Sequence, residues 1–235
     1  MKISIIIPAH NEEEIIADTI EQIENGLDME HKIIVINDHS SDSTREKVID
    51  LMKKYPNINL IDNDVGRGFA DALRKGFLTC DTEYVIPVMA DLCDDVATIK
   101  KMYEKMLEGY DLVCGSRYSP GGRRQGGPRL KGLLSCMAGR SLSWLIKIPT
   151  NDLPNAFKMY KKKVIDSLEI TSKSFEISME IALKAYFAGF KISEVPTVWK
   201  SRTKGTSDFK VLKLLPFYLR LYKLALAKII KGNNG

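Results

Sequence analysis

Short runs of branched apolar residues recur along the first half of the chain at 3–7, 33–36, 58–61, 84–89 and 111–114. Between them lie stretches of helical periodicity at about 12–25, 42–55, 69–79 and 95–108. The apolar runs are nearly unbroken, as expected of strands covered on both faces. The alternation predicts βαβ units and an α/β fold built on a mostly parallel sheet flanked by helices. Past Gly115 the pattern changes. Ser119 to Gly132 holds five glycines, two prolines and Arg123, Arg124, Arg129 and Lys131, which predicts a mobile basic loop. Helices are expected at about 132–147, 161–168 and 175–188, then an extended segment from Lys191 to Lys200.

The tail from Phe209 to Lys231 has a sided pattern. Wound at 100° per residue, Lys210, Lys213, Arg220, Lys223, Lys228 and Lys231 share an arc of about 140°, and Leu212, Leu215, Leu219, Leu226, Ile229 and Ile230 fill much of the other side. Pro216 is expected to split the tail into two helices or to begin the second. A basic amphipathic helix suits a membrane interface; the competing reading packs it on its own domain or on a partner subunit, as in a homodimer. The expected organisation is one domain over 1–207, with halves at 1–116 and 117–207, followed by this tail at 208–235.

The ends of three predicted strands carry the candidate chemistry. Ile3 to Ile7 runs into Pro8-Ala9-His10-Asn11-Glu12, Ile33 to Ile36 into Asn37-Asp38-His39-Ser40, and Val85 to Val88 into Met89-Ala90-Asp91-Leu92-Cys93-Asp94-Asp95. Strand ends of a parallel α/β sheet are where such folds place ligands or cations, so three polar ends predict one shared crevice. Each has a plainer reading: Asp95 as a helix N-cap, Glu12 as first-turn helix stabilisation, Asp38 as a turn residue.

Charge sharpens this picture. The net +5 conceals an acidic half, with 12 lysines and arginines against 23 acids over 1–116, and a basic half, with 23 against 7 over 117–235. The first suits a metal ion and the second an anionic partner or surface. Nucleic acid is disfavoured as that partner, because the basic half has no zinc-finger spacing, basic zipper or ribonucleoprotein motif. Cys80, Cys93, Cys114 and Cys136 lack paired metal-ligand spacing and read as buried reduced thiols. The opening apolar run is too short for a signal peptide, and no run reaches the ~18 residues of a membrane span. The expected location is the cytoplasm, peripheral on the inner face of the membrane.

Ordered matches along most of the chain carry a family resemblance: Ile6-Ile7-Pro8-Ala9-His10-Asn11-Glu12, Ile36 to Thr44, Gly66-Arg67-Gly68-Phe69-Ala70, Met89-Ala90-Asp91-Leu92, Gly115-Ser116-Arg117-Tyr118, Asp152 to Lys158, Glu194-Val195-Pro196, and Arg202 with Gly205-Thr206-Ser207. In these the chain resembles the inverting family 2 glycosyltransferases of GT-A fold, and among them the dolichol-phosphate mannose synthase-like enzymes that load a sugar onto a polyprenyl phosphate.

The resemblance implies that Pro8, Ala9, His10, Asn11, Glu12, Asn37, Asp38, Gly68 and Ala90 surround a sugar nucleotide. Asp91 would coordinate Mg²⁺ or Mn²⁺ on its diphosphate. Met89 and Cys93 stand where the family's other metal-site residues would be, and neither suits a hard cation; Asp94 and Asp95 are the candidate helpers. The resemblance also brings Arg117 and Arg202 to the diphosphate or the acceptor phosphate, with Arg129, Lys131 and Ser207 as further acceptor-phosphate candidates. A polyprenyl phosphate is already anionic and needs positioning, whereas a hydroxyl acceptor needs a base, for which Asp152, Glu176 and Glu180 are the candidates. The expected activity is transfer of a hexose from a GDP- or UDP-linked sugar to a polyprenyl phosphate with inversion. The alternatives are the hydroxyl of a surface polysaccharide or glycolipid as acceptor, and a non-catalytic sugar-nucleotide binder. A nucleotidylyltransferase would want a Gly-rich basic loop after the first strand, and Pro8-Ala9-His10-Asn11 is not one.

Overall fold

The structure, a computed structural model, describes residues 2–202 and 211–232. The first half alternates β1 (Ile3–Ala9), α1 (Ile16–Gly26), β2 (His31–Asn37), α2 (Thr44–Lys54), β3 (Ile58–Asp62), α3 (Phe69–Thr79), β4 (Tyr84–Pro87), α4 (Ala97–Leu107) and β5 (Leu112–Ser116). The second half contains β6 (Arg123–Gln125), α5 (Arg129–Ile146), β7 (Lys158–Lys161), α6 (Lys162–Asp166), α7 (Ile177–Phe187), β8 (Ile192–Pro196), β9 (Val198–Lys200) and α8 (Val211–Gly232). Seven strands form one sheet in the order β3-β2-β1-β4-β7-β5-β8, and β6 pairs with β9 in a separate ribbon.

The sheet is buried on both faces, which is why its strands read as continuous apolar runs. Ile3, Ile5 and Ile7 of β1 pack with α1, α2 and α4, while Ile6 points the other way into the core formed with α3, α7 and α8. α1 seals its side with Ile16, Ile20 and Ile23 at i, i+4 and i+7, each buried side chain contributing about 1.5–3 kcal/mol. α3 answers with Ala70, Leu73 and Phe77, and Gly76 lets it approach Ile6.

The mostly parallel α/β architecture agrees with the sequence pattern; three details differ. β7 enters antiparallel between β4 and β5. The segment expected to be a mobile loop contains β6, held in parallel register on β9, and the first turn of α5. Pro216 lies inside one continuous α8 instead of dividing it. As the sixth residue of α8 it forgoes the one ladder bond that an N–H there would make to the Leu212 carbonyl. α8 packs on α5 and α7 through Leu221 and Ala225, while Leu219, Leu226 and Ile230 are exposed. Among the described residues, no helix is long and apolar enough to cross a membrane.

Candidate active site

β2, β1 and β4 are neighbours, so their carboxyl ends share one rim of the sheet. Asn11, His39 and Leu92, one beyond each of these ends, are three of the four described non-glycine residues with positive φ, at 53°, 57° and 57°. Left-handed backbone costs about 1–2 kcal/mol for such residues, and three turns holding it along one rim mark a place shaped for a ligand.

The β1 and β2 turns are stitched together. The Asp38 N–H donates to the Ala9 carbonyl at 2.8 Å, and the His10 Nδ1–H to the Asp38 carbonyl at 2.6 Å. The Asn11 backbone N–H donates to Ser40 Oγ, and the Asn11 side-chain Oδ1 accepts the Ser41 N–H. The buried Asp38 carboxylate accepts Asn63 Nδ2 at 2.8 Å and the Gly68 N–H at 2.7 Å, so it fixes the 63–68 turn. Gly68, at φ 99°, starts α3 from a backbone that disfavours side chains. Asn37 holds Asp62 and caps the Ser40 N–H. Asn63 has no counterpart among the sequence-derived candidates, although its turn after β3 is the fourth polar strand end on this rim.

At the β4 end, Arg202 gathers the acids. Its Nη2 lies 3.1 Å from Glu12 Oε1 and 3.5 Å from Asp91 Oδ2. Burial raises the Glu12 carboxyl above its ordinary range against the pull of Arg202. Asp91 Oδ1 accepts the Cys93 N–H, and the Ala90 carbonyl accepts Thr19 Oγ. The Asp94 carboxylate is buried beneath, accepting the Met89 N–H; desolvation and then the neighbouring Asp91 charge push it up to about 7. Asp95 is not the N-cap that its place before Val96 suggested: Val96 caps α4 without a side-chain bond, and the Asp95 carboxylate accepts the Thr98 hydroxyl instead of a helix N–H. Among the described residues no three His, Cys, Asp or Glu side chains converge as a ready-made metal cage. The donor set fits a hard cation only when phosphate oxygens complete the shell: Asp91 keeps acceptor capacity on both oxygens, which is how Mg²⁺ is commonly held.

Arg117, just past β5, is bound by Asp152 through Nε at 2.7 Å, Nη2 at 2.8 Å and its own backbone N–H at 2.9 Å. Burial alone would lower the guanidinium's proton affinity, but Asp152 outweighs it and holds Arg117 firmly charged. Beneath, the fully buried Lys158 donates to the carbonyls of Leu153 and Asn155 and so fixes the turn that presents Asp152. Burial holds the Lys158 ammonium below its ordinary range. Lys158 opens the short β7, so nothing local in the sequence marked it as buried, and it entered the sequence reading only as the end of the 152–158 match.

Glu176 and Glu180 are buried at the start of α7. Glu180 accepts the amides of Thr171 and Ser172 and pairs with Lys184 at 2.7 Å. Glu176 Oε1 accepts the Lys173 N–H, while its Oε2 and Ser172 Oγ have no hydrogen-bond partner. The structure therefore brings Glu12, Asp38, Asp91 and Arg202 to one rim and sets Glu180 into a loop-holding network of its own. Ser207 and the side chains of Arg129 and Lys131 lie outside the described residues.

Comparison with known proteins follows the same lines. The sequence profile described as Glycosyl transferase family 2 matches residues 4–168. A dolichol-phosphate mannosyltransferase from Pyrococcus furiosus is 31% identical over 228 residues, 95% of this chain and 64% of that protein, so the chain spans less than two thirds of this relative. Polyprenol monophosphomannose synthase from Mycolicibacterium smegmatis is 24% identical over 86% of this chain and 79% of its own length. Among solved structures, glucosyl-3-phosphoglycerate synthase from Mycobacterium tuberculosis, crystallised with Mn²⁺, UDP-glucose and phosphoglyceric acid, superposes with a TM-score of 0.71 at 17% identity, over 97% of this chain and 79% of that one. Another crystal of the same protein contains Mg²⁺ and UDP. These likenesses establish the GT-A-like fold.

Proposed function

Because the chain belongs to glycosyltransferase family 2, we propose that it moves a hexose from a nucleotide-diphosphate sugar to a polyprenyl phosphate, inverting the anomeric carbon. The printed names of the Pyrococcus and Mycolicibacterium relatives support a lipid-phosphate acceptor. The single observation that carries the reading is that two of the three candidate bases are tied up by cations and amides and the third is buried. Asp152 is committed to Arg117, Glu180 to Thr171, Ser172 and Lys184, and Glu176 is buried at a helix start. An acceptor that brings its own negative charge needs none of them.

On this reading the Asn11, Glu12, Asn37 and Asp38 turns hold the nucleoside, with Gly68 and Ala90 supplying backbone close to it. Asp91 would hold Mg²⁺ or Mn²⁺, which as a Lewis acid steadies the departing diphosphate. Arg202 exchanges its carboxylates for phosphate oxygens when the donor enters, and Arg117, locked by Asp152, presents a fixed positive field to the acceptor phosphate. An acceptor oxygen then attacks the anomeric carbon as the bond to the diphosphate breaks, and no proton has to be removed.

The membrane would deliver such an acceptor. α5 exposes Leu130, Leu133, Leu134, Met137 and Trp144, and α8 exposes Leu219, Leu226 and Ile230 beside Lys223 and Lys228. Two neighbouring helices with outward apolar faces and adjacent lysines suit an anionic bilayer surface. The 208–235 segment would then be an interfacial element that also packs on the catalytic part.

The test is incubation with labelled UDP- and GDP-sugars, Mn²⁺, and either a polyprenyl phosphate or a glycan primer. Organic-extractable product from the phosphate, lost in Asp91→Asn, is expected. Label appearing only on the glycan primer would overturn the acceptor assignment, and no transfer to either would leave a sugar-nucleotide binder.

A further inference from the structure

The β6–β9 ribbon links the basic loop to the acidic rim. Its register pairs Arg123 with Val198, Arg124 with Trp199 and Gln125 with Lys200, closed by the Arg123 N–H to the Thr197 carbonyl and the Ser201 N–H to the Gln125 carbonyl. On its far side the Lys200 N–H donates to the Cys93 carbonyl at 2.9 Å, within the Asp91 turn, and Arg202 follows two residues later. Directly paired strand residues share a face, and there the Arg124 guanidinium lies over the Trp199 ring, 4.6 Å from its centroid.

The glycines of the loop are cut to fit this stack. A β-carbon at Gly127, whose φ is 74°, would come 3.0 Å from Arg124 Nη2 and 3.2 Å from the Trp199 ring. One at Gly132, in the first turn of α5, would collide with Arg124 Nη1. Gly132 is also anchored from the other side, where its carbonyl accepts the Tyr118 hydroxyl at 3.0 Å, and Ser135 one turn on accepts Arg117 Nη2.

We propose that Arg124 is a positioning residue. Stacked on Trp199, its guanidinium is the plate against which the Gly126–Gly132 turn and the start of α5 are set. The basic loop thereby keeps a fixed place beside Arg117 and the Asp91 rim. The inference rests on the acceptor reading above for its kinetic consequence, but not for its structural one. It differs from a role as surface charge because it depends on the planar stack, which lysine cannot reproduce.

The experiment compares Arg124→Lys, Arg124→Ala, Trp199→Phe and Gly132→Ala in the full chain. Gly132→Ala leaves Arg124 in place but pushes its tip off the ring. The first readout is trypsin cleavage after Arg129 and Lys131, followed by mass spectrometry. The second is KM for polyprenyl phosphate against KM for the donor. Arg124→Lys, Arg124→Ala and Gly132→Ala are each expected to speed cleavage and raise the acceptor KM by about tenfold, with the donor KM within about twofold. Trp199→Phe, which keeps a ring, should stay near wild type in both. Wild-type behaviour of Arg124→Lys and Gly132→Ala would overturn the proposal, as would a donor KM that rises as far as the acceptor KM. Should the unmodified protein fail to glycosylate polyprenyl phosphate, the acceptor reading falls and cleavage alone decides the role of Arg124.

Discussion

Glu180 gives the sharpest quantitative expectation. Burial works to raise its carboxyl, but hydrogen bonds from Lys184, Ser172 and Thr171 prevail and hold it down to about 2, against an ordinary value of 4.5. Arg220 on α8 adds a longer contact at 3.8 Å. With the side chain only 1% exposed, that gap corresponds to about 3 kcal/mol at 1.36 kcal/mol per tenfold change in proton affinity. The folded-state value is the depressed one, so this stability is fully present above pH 4.5 and is lost progressively as pH falls towards 2. Glu180→Gln keeps the shape and removes the charge. It should cost about 2–3 kcal/mol at pH 7, a fall in Tm of about 4–12 °C for a chain of this size. Urea unfolding of both proteins from pH 7 down to pH 3 reads the difference, which should shrink below pH 4.5 because there the carboxyl of the unfolded chain takes up a proton while the folded one, held at about 2, stays charged. A loss under 0.5 kcal/mol at neutral pH, or one that does not change with pH, would refute the network as drawn. The same low value argues against Glu180 as a base, since a carboxylate so reluctant to take a proton is a poor acceptor for one.

Asp152→Ala strands the buried Arg117 guanidinium and should cost about 3–5 kcal/mol, while Arg117→Ala/Asp152→Ala loses less than the two single changes summed; a variant that keeps the wild-type melting temperature and loses only transfer would instead make Asp152 the base. Gly115→Ala places a methyl 2.7 Å from Met102 Cε, 2.9 Å from the Phe157 ring and 3.1 Å from the Phe157 carbonyl, and should destabilise by about 1–3 kcal/mol in urea unfolding whether or not ligand is present. Arg202→Ala leaves Glu12 and Asp91 facing each other without their shared cation, so Mn²⁺ alone should raise its melting temperature more than it raises that of the wild type; an unchanged or smaller Mn²⁺ shift would show that the pairing does not compete with metal.

What could be read from sequence, and what could not, follows from the range of the interactions involved. β1, β2 and β4 announced themselves because Ile3 to Ile7, Ile33 to Ile36 and Val85 to Ile86 are buried on both faces, and burial of that kind leaves a contiguous mark. β7 left almost none. Lys158-Met159-Tyr160-Lys161 begins and ends in lysine, and it is a strand only because β4 and β5 flank it and two carbonyls receive the Lys158 ammonium. β6 is three residues long, too short for any period, and exists through its pairing with β9, which ends the extended segment expected over 191–200. In the tail, helical periodicity identified apolar positions without showing that Leu221 and Ala225 form the buried seam while Leu219 and Ile230 face outward. The site divides in the same way. Which residue types stand at the strand ends is local information, and Glu12, Asp38 and Asp91 were legible. The role of each carboxylate depends on its partner, and the partners are remote: Arg117 and Asp152 are 35 positions apart, Arg202 and Glu12 190. Asp91 retains room for a cation, Asp152 is tied to a guanidinium, and Glu180 is spent on a loop, although all three present the same functional group. Chain separation therefore hides the choice between ligand, base and brace, and only the folded rim, by fixing who meets whom, makes it.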